Sequence, residues 1–299
     1  MTTTRVKIAA HAKVNLFLRV LARESTGFHQ IETAFALLEL ADDLVVTRTD
    51  GGVTLEVQGP DLGPSEENLA VRAARAVLAA TAAKFGVAIS LTKRIPVRAG
   101  LGGGSSDAAA ALHAVNALAN NAVPRHEVLH MAAKLGADVS FFAGGAPTAL
   151  AWGRGERQFR LPPLPAAPAL VAVPAVGVAT PDAYRWWDDR NPDPGPPPRG
   201  PVLLDAEAFS GWGSVGRLGG NDFELPVFGK HPELRELFER LAGTRPLWVR
   251  LSGSGSAVAA VYKSTRDRDD AAAAVGRKTV TLITTTTMAV AAGGPVSGD

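Results

Sequence analysis

The sequence predicts a two-domain α+β protein, and three observations carry that prediction. Strand-like and helix-like segments both run the length of the 299-residue chain, which is long enough for two domains of moderate size. The stretch from Leu161 to Pro168 contains four prolines and marks a change of character, dividing residues 1–162 from 163–299. Two loops of small residues, one in each part, each follow a strand-like run: Gly100 to Ser106 and Ser252 to Ser256.

Composition narrows the class. With 46% apolar and 20% charged residues, the chain reads as an ordinary soluble globular protein. Lys and Arg number 31 against 29 Asp and Glu, a net charge of +2, too small an excess to point to a nucleic-acid partner. The absence of cysteine removes disulfides, thiolate nucleophiles and cysteine-ligated metals together. The N-terminus lacks the apolar core of a signal peptide. The most apolar long run, 161–179, holds Pro162, Pro163, Pro165, Pro168 and Pro174 and cannot be an ordinary membrane helix. A cytoplasmic protein with no membrane partner is expected. Neither HExxH nor GxSxG occurs, so zinc protease and serine hydrolase readings lack support.

Taken in order, Val6 to Val20 alternates as a strand and carries Lys13 and Asn15, two residues apart and so on one face. A short polar turn, Arg23 to Gly27, precedes Phe28 and His29, and Ile31 to Leu40 is apolar. Leu44–Thr49 and Val53–Val57 predict a hairpin joined by Asp50-Gly51-Gly52. Asn68 opens a helix to about Phe85, Val87–Thr92 is a strand, and a helix follows to Asn120. A further helix, Arg125 to Leu135, stops at Gly136. Asp138 lies in an apolar run, as a cap or a functional carboxylate; strands follow at 146–152 and 157–161. In the second part, 170–178 is β-like and the proline-rich 191–201 is irregular. Strands at 247–251, 257–262 and 280–285 alternate with helices at 233–242 and 266–275. The tail 289–299 reads as frayed.

The organising stretch is Pro96-Val97-Arg98-Ala99-Gly100-Leu101-Gly102-Gly103-Gly104-Ser105-Ser106, running into Asp107 and an alanine-rich helix. Ser105, Ser106 and Asp107 suit a helix start. A glycine loop feeding a helix N-terminus lets backbone N–H groups approach an anion closely, and the helix dipole favours negative charge there. Phosphate is the obvious guest. Neither the P-loop pattern nor G-x-G-x-x-G fits this loop, and the one G-x-G-x-x-G, Gly211 to Gly216, has no flanking strand or helix of the right kind.

Two small-residue loops, a strand lysine and an aspartate in an apolar setting suggest phosphoryl transfer. That reaction needs phosphate oxygens held by donors, charge neutralised and an acceptor hydroxyl oriented or deprotonated. Asp138 would accept the hydroxyl proton, and Lys13 would keep Asp138 ionised and stabilise transition-state charge.

These residues closely resemble the GHMP kinases, small-molecule kinases that include galactokinase, homoserine kinase and mevalonate kinase. Pro96–Ala108 looks like their nucleotide-loop motif and Leu251–Ser256 like their C-terminal glycine motif. The supporting segments are Ala12–Leu18, Gly27-Phe28-His29, Glu67-Asn68-Leu69, Gly136–Val139, Gly153–Glu156 and Asn221–Glu224, all in family order. They fit best the branch whose acceptor is a cytidylylated methylerythritol, in the non-mevalonate route to isoprenoid precursors. The resemblance implies a ribosomal-S5-domain-2-like N-terminal half, an α/β-plait-like C-terminal half and an active site in the cleft between them.

It also implies ATP with Mg2+, and transfer to the acceptor's 2-hydroxyl. Lys13 and Asp138 match the catalytic pair; 96–106 and Asn68 match nucleotide contacts; Asn15, Phe28, His29, Asp138, Thr180 and Tyr184 match acceptor contacts. In this implied site His29 hydrogen-bonds cytosine while Phe28 and Tyr184 stack on its two faces. The chain departs from the family at Thr26-Gly27-Phe28-His29, where Asp-Gly-Tyr-His is usual, and at Ser140, where proline is common. The metal ligands and any oligomeric partner are not assigned. The competing readings are a GHMP kinase with a different acceptor alcohol and a non-catalytic nucleotide- or RNA-binding module.

Overall fold

The computed structural model describes residues 3–192, 204–276 and 278–298; most of the proline-rich stretch 191–201 therefore lies outside the described residues. The first sheet is built on two long strands, β1 (Arg5–Arg23) and β2 (His29–Thr49), paired antiparallel along nearly their whole length. From Ala12 to Val20 every residue of β1 is buried, which is why this part of the sequence is an almost continuous apolar run. The pairing shifts register between His11 and Lys13 and between Asn15 and Phe17. Irregularities of this kind bend a strand and re-aim its side chains.

The far edge of β2 is shared. Residues 31–36 pair with β5 (Thr148–Gly153), which pairs in turn with β6 (Arg157–Arg160). Residues 43–49 pair with β4 (Gly86–Thr92). The expected hairpin is corrected here: β3 (Val53–Gln58) pairs with β4, in parallel, and β4 stands between β3 and β2. Burial explains the order. The apolar β4 is mostly buried, whereas β3 alternates half-buried with exposed positions and suits an edge. A parallel pair needs a crossover, and α1 (Leu69–Ala80) supplies it. That helix is shorter than expected, because the Thr81 hydroxyl bonds back to the Val77 carbonyl and Ala82 takes a positive φ.

Helices α2 (Gly103–Leu118), α3 (Arg125–Leu135) and α4 (Ala137–Gly144) complete the first half. Five of the six alanines of α2 are buried and Ala117 is half-buried, so the helix is wrapped rather than laid on a surface. Val46, Ile89 and Leu91 meet Val77, Leu112 and Val115 in this core.

The second sheet runs β10–β7–β9–β8, all antiparallel, from β7 (Pro168–Pro174), β8 (Trp248–Leu251), β9 (Val258–Val261) and β10 (Val280–Thr286). Helices α5 (Thr180–Arg190), α6 (Trp212–Val215), α7 (Glu224–Lys230), α8 (Pro232–Gly243) and α9 (Thr265–Val275) belong to this half. Leu237, Leu241 and Val275 pack against Leu170 and Val258. A third core joins the halves: Val14, Leu16 and Phe17 of β1 meet Val171, Trp248 and Val261, and the Trp248 indole donates to the Leu16 carbonyl at 2.9 Å. The tail is not simply frayed, since β11 (Val296–Ser297) pairs with β1 at Val6 and Lys7. Among the described residues no helix is long and apolar enough to cross a membrane.

The strand order has a measurable consequence. Leu91→Ala, in the interior strand, should cost about 2–5 kcal/mol in urea unfolding. Leu55→Ala, at the half-buried edge, should cost clearly less. The reverse ranking would contradict the order β2–β4–β3.

Candidate active site

Lys13 sits in the middle of β1, only 3% exposed. A buried ammonium needs partners, and it has two. Its Nζ donates to Asn15 Oδ1 at 2.6 Å and stands 3.5 Å from Asp138 Oδ2. Asn15 is held in turn: its Nδ2 donates to Thr33 Oγ1 at 2.9 Å, and that hydroxyl donates to the Phe17 carbonyl. The same-face spacing of Lys13 and Asn15 thus builds a fixed polar row through an apolar strand. Asp138 lies in the first turn of α4, where the helix dipole favours a carboxylate. The sequence run there was expected as a cap or a functional carboxylate; the structure makes it a short helix pointing its start at Lys13.

The glycine loop lies beside this pair. Arg98, Gly100 and Gly102 all have positive φ, and α2 begins at Gly103. Its first helical bond runs from the Ser106 N–H to the Gly102 carbonyl at 2.9 Å. The N–H groups of Gly103, Gly104 and Ser105 therefore have no partner within the helix. A Cβ on Gly102 would lie 2.8 Å from the Phe142 ring and 3.1 Å from Lys13 Cγ, while one on Gly104 would meet nothing within 4 Å. The loop is closed against protein on one side and open on the other, a cradle for an anion.

The second small-residue loop braces the first. Ser252 Oγ donates to the Gly100 carbonyl at 2.9 Å, and the Ala257 N–H to the Ala99 carbonyl at 3.1 Å. A Cβ on Gly100 would lie 2.0 Å from the Ser252 carbonyl oxygen. Asn221 holds the second loop by donating to the carbonyls of Leu251 and Gly253 at 2.9 and 2.6 Å. Asn221 belongs to a segment that the resemblance brought out, but sequence reasoning gave it no role.

One cavity of about 950 Å³ joins these parts. Lys13, Asn15, Asn68, the residues from Pro96 to Ser105, Asp138, Thr180 and Tyr184 all line it. Asn68 also caps α1, its Oδ1 accepting from the Ala70 N–H at 2.9 Å. Thr180 shares a hydrogen bond with Ser254 Oγ at 2.9 Å. Ser106 departs from expectation: it is buried behind the loop and lines a separate cavity of about 340 Å³ on the other side of α2.

Of the expected bracket of Phe28 and Tyr184, only Tyr184 lines the cavity. Neither Phe28, which is 57% exposed, nor the buried His29 lines the cavity; the Arg154 guanidinium covers the Phe28 ring at 4.1 Å and pairs with Glu24. Arg154 lines the cavity instead. The side chain stacked on Tyr184 is His29, 4.4 Å between centroids with planes 18° apart. His29 Nε2 is 2.7 Å from Asp188 Oδ1, on α5. Burial, with the Asp138 charge adding to it, pushes the Tyr184 phenol up to about 12, so it is a neutral hydrogen-bonding group at neutral pH. Arg154 belongs to a segment that the resemblance brought out but was given no role; Asp188 and a buried lysine, Lys93, that also lines the cavity were missed, since nothing in their spacing separates them from surface charges.

Comparison with known proteins identifies the family. The family model for the GHMP kinases N terminal domain matches residues 68–146, and that for the GHMP kinases C terminal domain matches 205–281. The 4-diphosphocytidyl-2-C-methyl-D-erythritol kinase of Solibacter usitatus is 40% identical over 280 residues, covering 90% of this chain and 84% of the relative. That of Chlorobaculum tepidum is 38% identical over 91% of this chain and 94% of its own. A crystal structure of 4-(cytidine 5'-diphospho)-2C-methyl-D-erythritol kinase superposes with a TM-score of 0.79 at 39% identity, covering 96% of this chain and all of that one. A homoserine kinase from Cytophaga hutchinsonii shares the fold, with a TM-score of 0.69 at 20% identity. With both halves matched and so much of the sequence shared end to end, the chain belongs to the GHMP kinases, in the 4-diphosphocytidyl-2-C-methyl-D-erythritol kinase family.

Proposed function

We propose that the chain transfers the γ-phosphoryl group of ATP to the 2-hydroxyl of 4-diphosphocytidyl-2-C-methyl-D-erythritol. The observation that carries this reading is the juxtaposition of Lys13 and Asp138, 3.5 Å apart, in one cavity with the glycine loop. Residues 1–162 supply the loop and the pair, and residues 163–299 close the cleft and brace the loop. ATP phosphates lie against the free N–H groups at the start of α2, and Asn68 offers its amide to the nucleotide while its oxygen caps α1. Asp138 accepts the acceptor's hydroxyl proton as the oxygen attacks Pγ and the bond from Pγ to the β-phosphate oxygen breaks, releasing ADP. Lys13 pairs with Asp138 and opposes the charge developing on the transferred group. Asn15 and Thr180 lie beside the acceptor, and His29 and Tyr184 beside its base.

Magnesium enters this reading with the nucleotide. Among the described residues no group of three His, Asp or Glu side chains is placed to hold a metal, and Mg2+ commonly rides on substrate phosphates with few protein ligands. Bound there, it would neutralise phosphate charge.

A phosphorylation assay across acceptor alcohols tests the reading: the cytidylylated methylerythritol should be turned over, and mevalonate, homoserine and galactose should not. Turnover of one of those three in its place would assign a different kinase. Asp138→Asn should lower kcat by about 10²–10⁴ while nucleotide still binds; undiminished kcat would remove the general-base role. His29→Ala should raise KM for the cytidylylated acceptor about tenfold or more and leave the KM for ATP nearly unchanged. Gly100→Ala forces a side chain onto the Ser252 carbonyl, so calorimetry should show nucleotide binding lost or severely weakened even where the protein still folds.

A further inference from the structure

Behind the glycine loop lies a buried charge cluster that the chemistry above does not use. Lys93 follows β4, Asp42 is on β2 and Asp107 is near the start of α2. Their side chains are 2%, 0% and 3% exposed. Lys93 Nζ donates to Asp42 Oδ2 and, at 2.7 Å, to Asp107 Oδ2, so two carboxylates share one cation. They are not equivalent. Asp42 Oδ1 accepts from the backbone N–H groups of Arg94 and Ile95 at 2.5 and 2.8 Å, where the chain enters the loop. Asp107 Oδ1 has no partner.

Two carboxylates and one ammonium out of water carry a net negative charge. The carboxyl with fewer donors is the one that relieves it by holding a proton. Burial, opposed by Lys93 and reinforced by Asp42, pushes the Asp107 carboxyl up to about 7. Other charged groups face the same cavity: Asp61, Glu67, Arg98 and Arg154 line it. Lys13 on β1 and Asp138 on α4 pair with each other. The charged residues of α1 and α3, from Arg72 and Arg75 to Arg125, Glu127 and Lys134, are exposed. His113, farther along α2, bonds to the Ala143 carbonyl.

Position gives this titration a consequence. Lys93 and Asp107 both line the large cavity, and a Cβ on Gly103 would lie 3.2 Å from Lys93 Nζ. A polyphosphate held by the N–H groups of Gly103 to Ser105 sits on the same turn of helix as Asp107, with little water to screen one from the other. We propose that Asp107 is a proton-linked positioning residue of the phosphate loop: it takes up a proton from solvent as the nucleotide binds, so that no carboxylate charge stands behind the polyphosphate. This rests on assigning the loop to the nucleotide phosphates. Protonated, the cluster is neutral, with Lys93 and Asp42 paired; ionised, it repels the ligand. The sign follows. Bound phosphate raises the Asp107 pKa, so the affinity is greatest below about pH 7 and falls as pH rises through the pKa of the free enzyme towards that of the complex.

The test is calorimetry of ADP binding near pH 7 in two buffers of different ionisation enthalpy, on the wild type and on Asp107→Asn, which keeps an oxygen for Lys93 but cannot titrate. The nucleotide's own titration is common to both proteins and cancels. The wild type should take up more protons than the variant. As pH rises from below the free-enzyme pKa to above that of the complex, the wild type's affinity relative to the variant should fall in all by about tenfold for each unit the pKa is displaced. Equal proton uptake with parallel pH profiles would overturn the proposal; a merely structural aspartate would give that result. Should the variant not fold, difference infrared spectroscopy of the wild type decides, since ADP should bring up a protonated-carboxyl band and its absence would overturn the proposal. A wild type that binds no ADP at all would sink the loop assignment, and this inference with it.

Discussion

A single ammonium buried in a strand constrains the whole site. Lys13 gives up its water in the middle of β1, and that cost is tolerable only with charge and hydrogen-bond partners in place. Asn15 supplies an oxygen from the same strand face, and α4 brings Asp138 up from another part of the chain. The glycines of both loops answer to the same group. A Cβ on Gly102 would press on the Lys13 stem, and one on Gly253 would come within 3.5 Å of its Nζ. Both loops are backbone-thin where they pass Lys13, so the lysine head and the helix N-terminus can face one volume.

The two halves also depend on each other through that volume. The glycine loop belongs to the first half, yet its carbonyls at Ala99 and Gly100 are satisfied by the second. Without them the positive-φ turns at Arg98, Gly100 and Gly102 would have little to hold their shape. The second loop is fixed by Asn221, whose own neighbour Asp222 bonds through its backbone and carboxylate to Leu18 and Val20 of β1. The bracing therefore returns to the strand that carries Lys13. Because β1 also packs into the core between the halves, the docking of the halves and the shape of the loop depend on the same contacts.

What the sequence made legible was local. Alternation placed Lys13 and Asn15 on one face, four glycines before an alanine run marked the loop and its helix, and Gly136 marked a helix stop. What it hid depends on contacts between distant segments. Leu44–Thr49 and Val53–Val57 look like a hairpin because they are adjacent in sequence and joined by Asp50-Gly51-Gly52; β4, more buried, displaces β3 to the edge. The eight residues of α4 are too few to be helical on propensity alone and are held so by burial of Val139, Phe141 and Ala143. The bond between His29 and Asp188 joins residues 159 positions apart, beyond the reach of any local pattern. Lys93 and Asp42, 51 residues apart, carry no spacing that sets them off from solvent-facing charges.

The same contacts bear on how the proposed acceptor would be recognised. His29 stacks on Tyr184 and the Arg154 guanidinium covers Phe28. A pyrimidine entering beside these groups exchanges one stacked contact for another, so stacking area adds little net affinity there. Discrimination then falls to hydrogen bonds, where an unmatched buried group costs most. Phenylalanine at position 28 fits this division of labour. A ring that serves mainly as a platform for a guanidinium loses little by lacking a hydroxyl, while His29, tied to Asp188 and packed edge-on against Trp187, is held in the fixed orientation that hydrogen-bond readout requires.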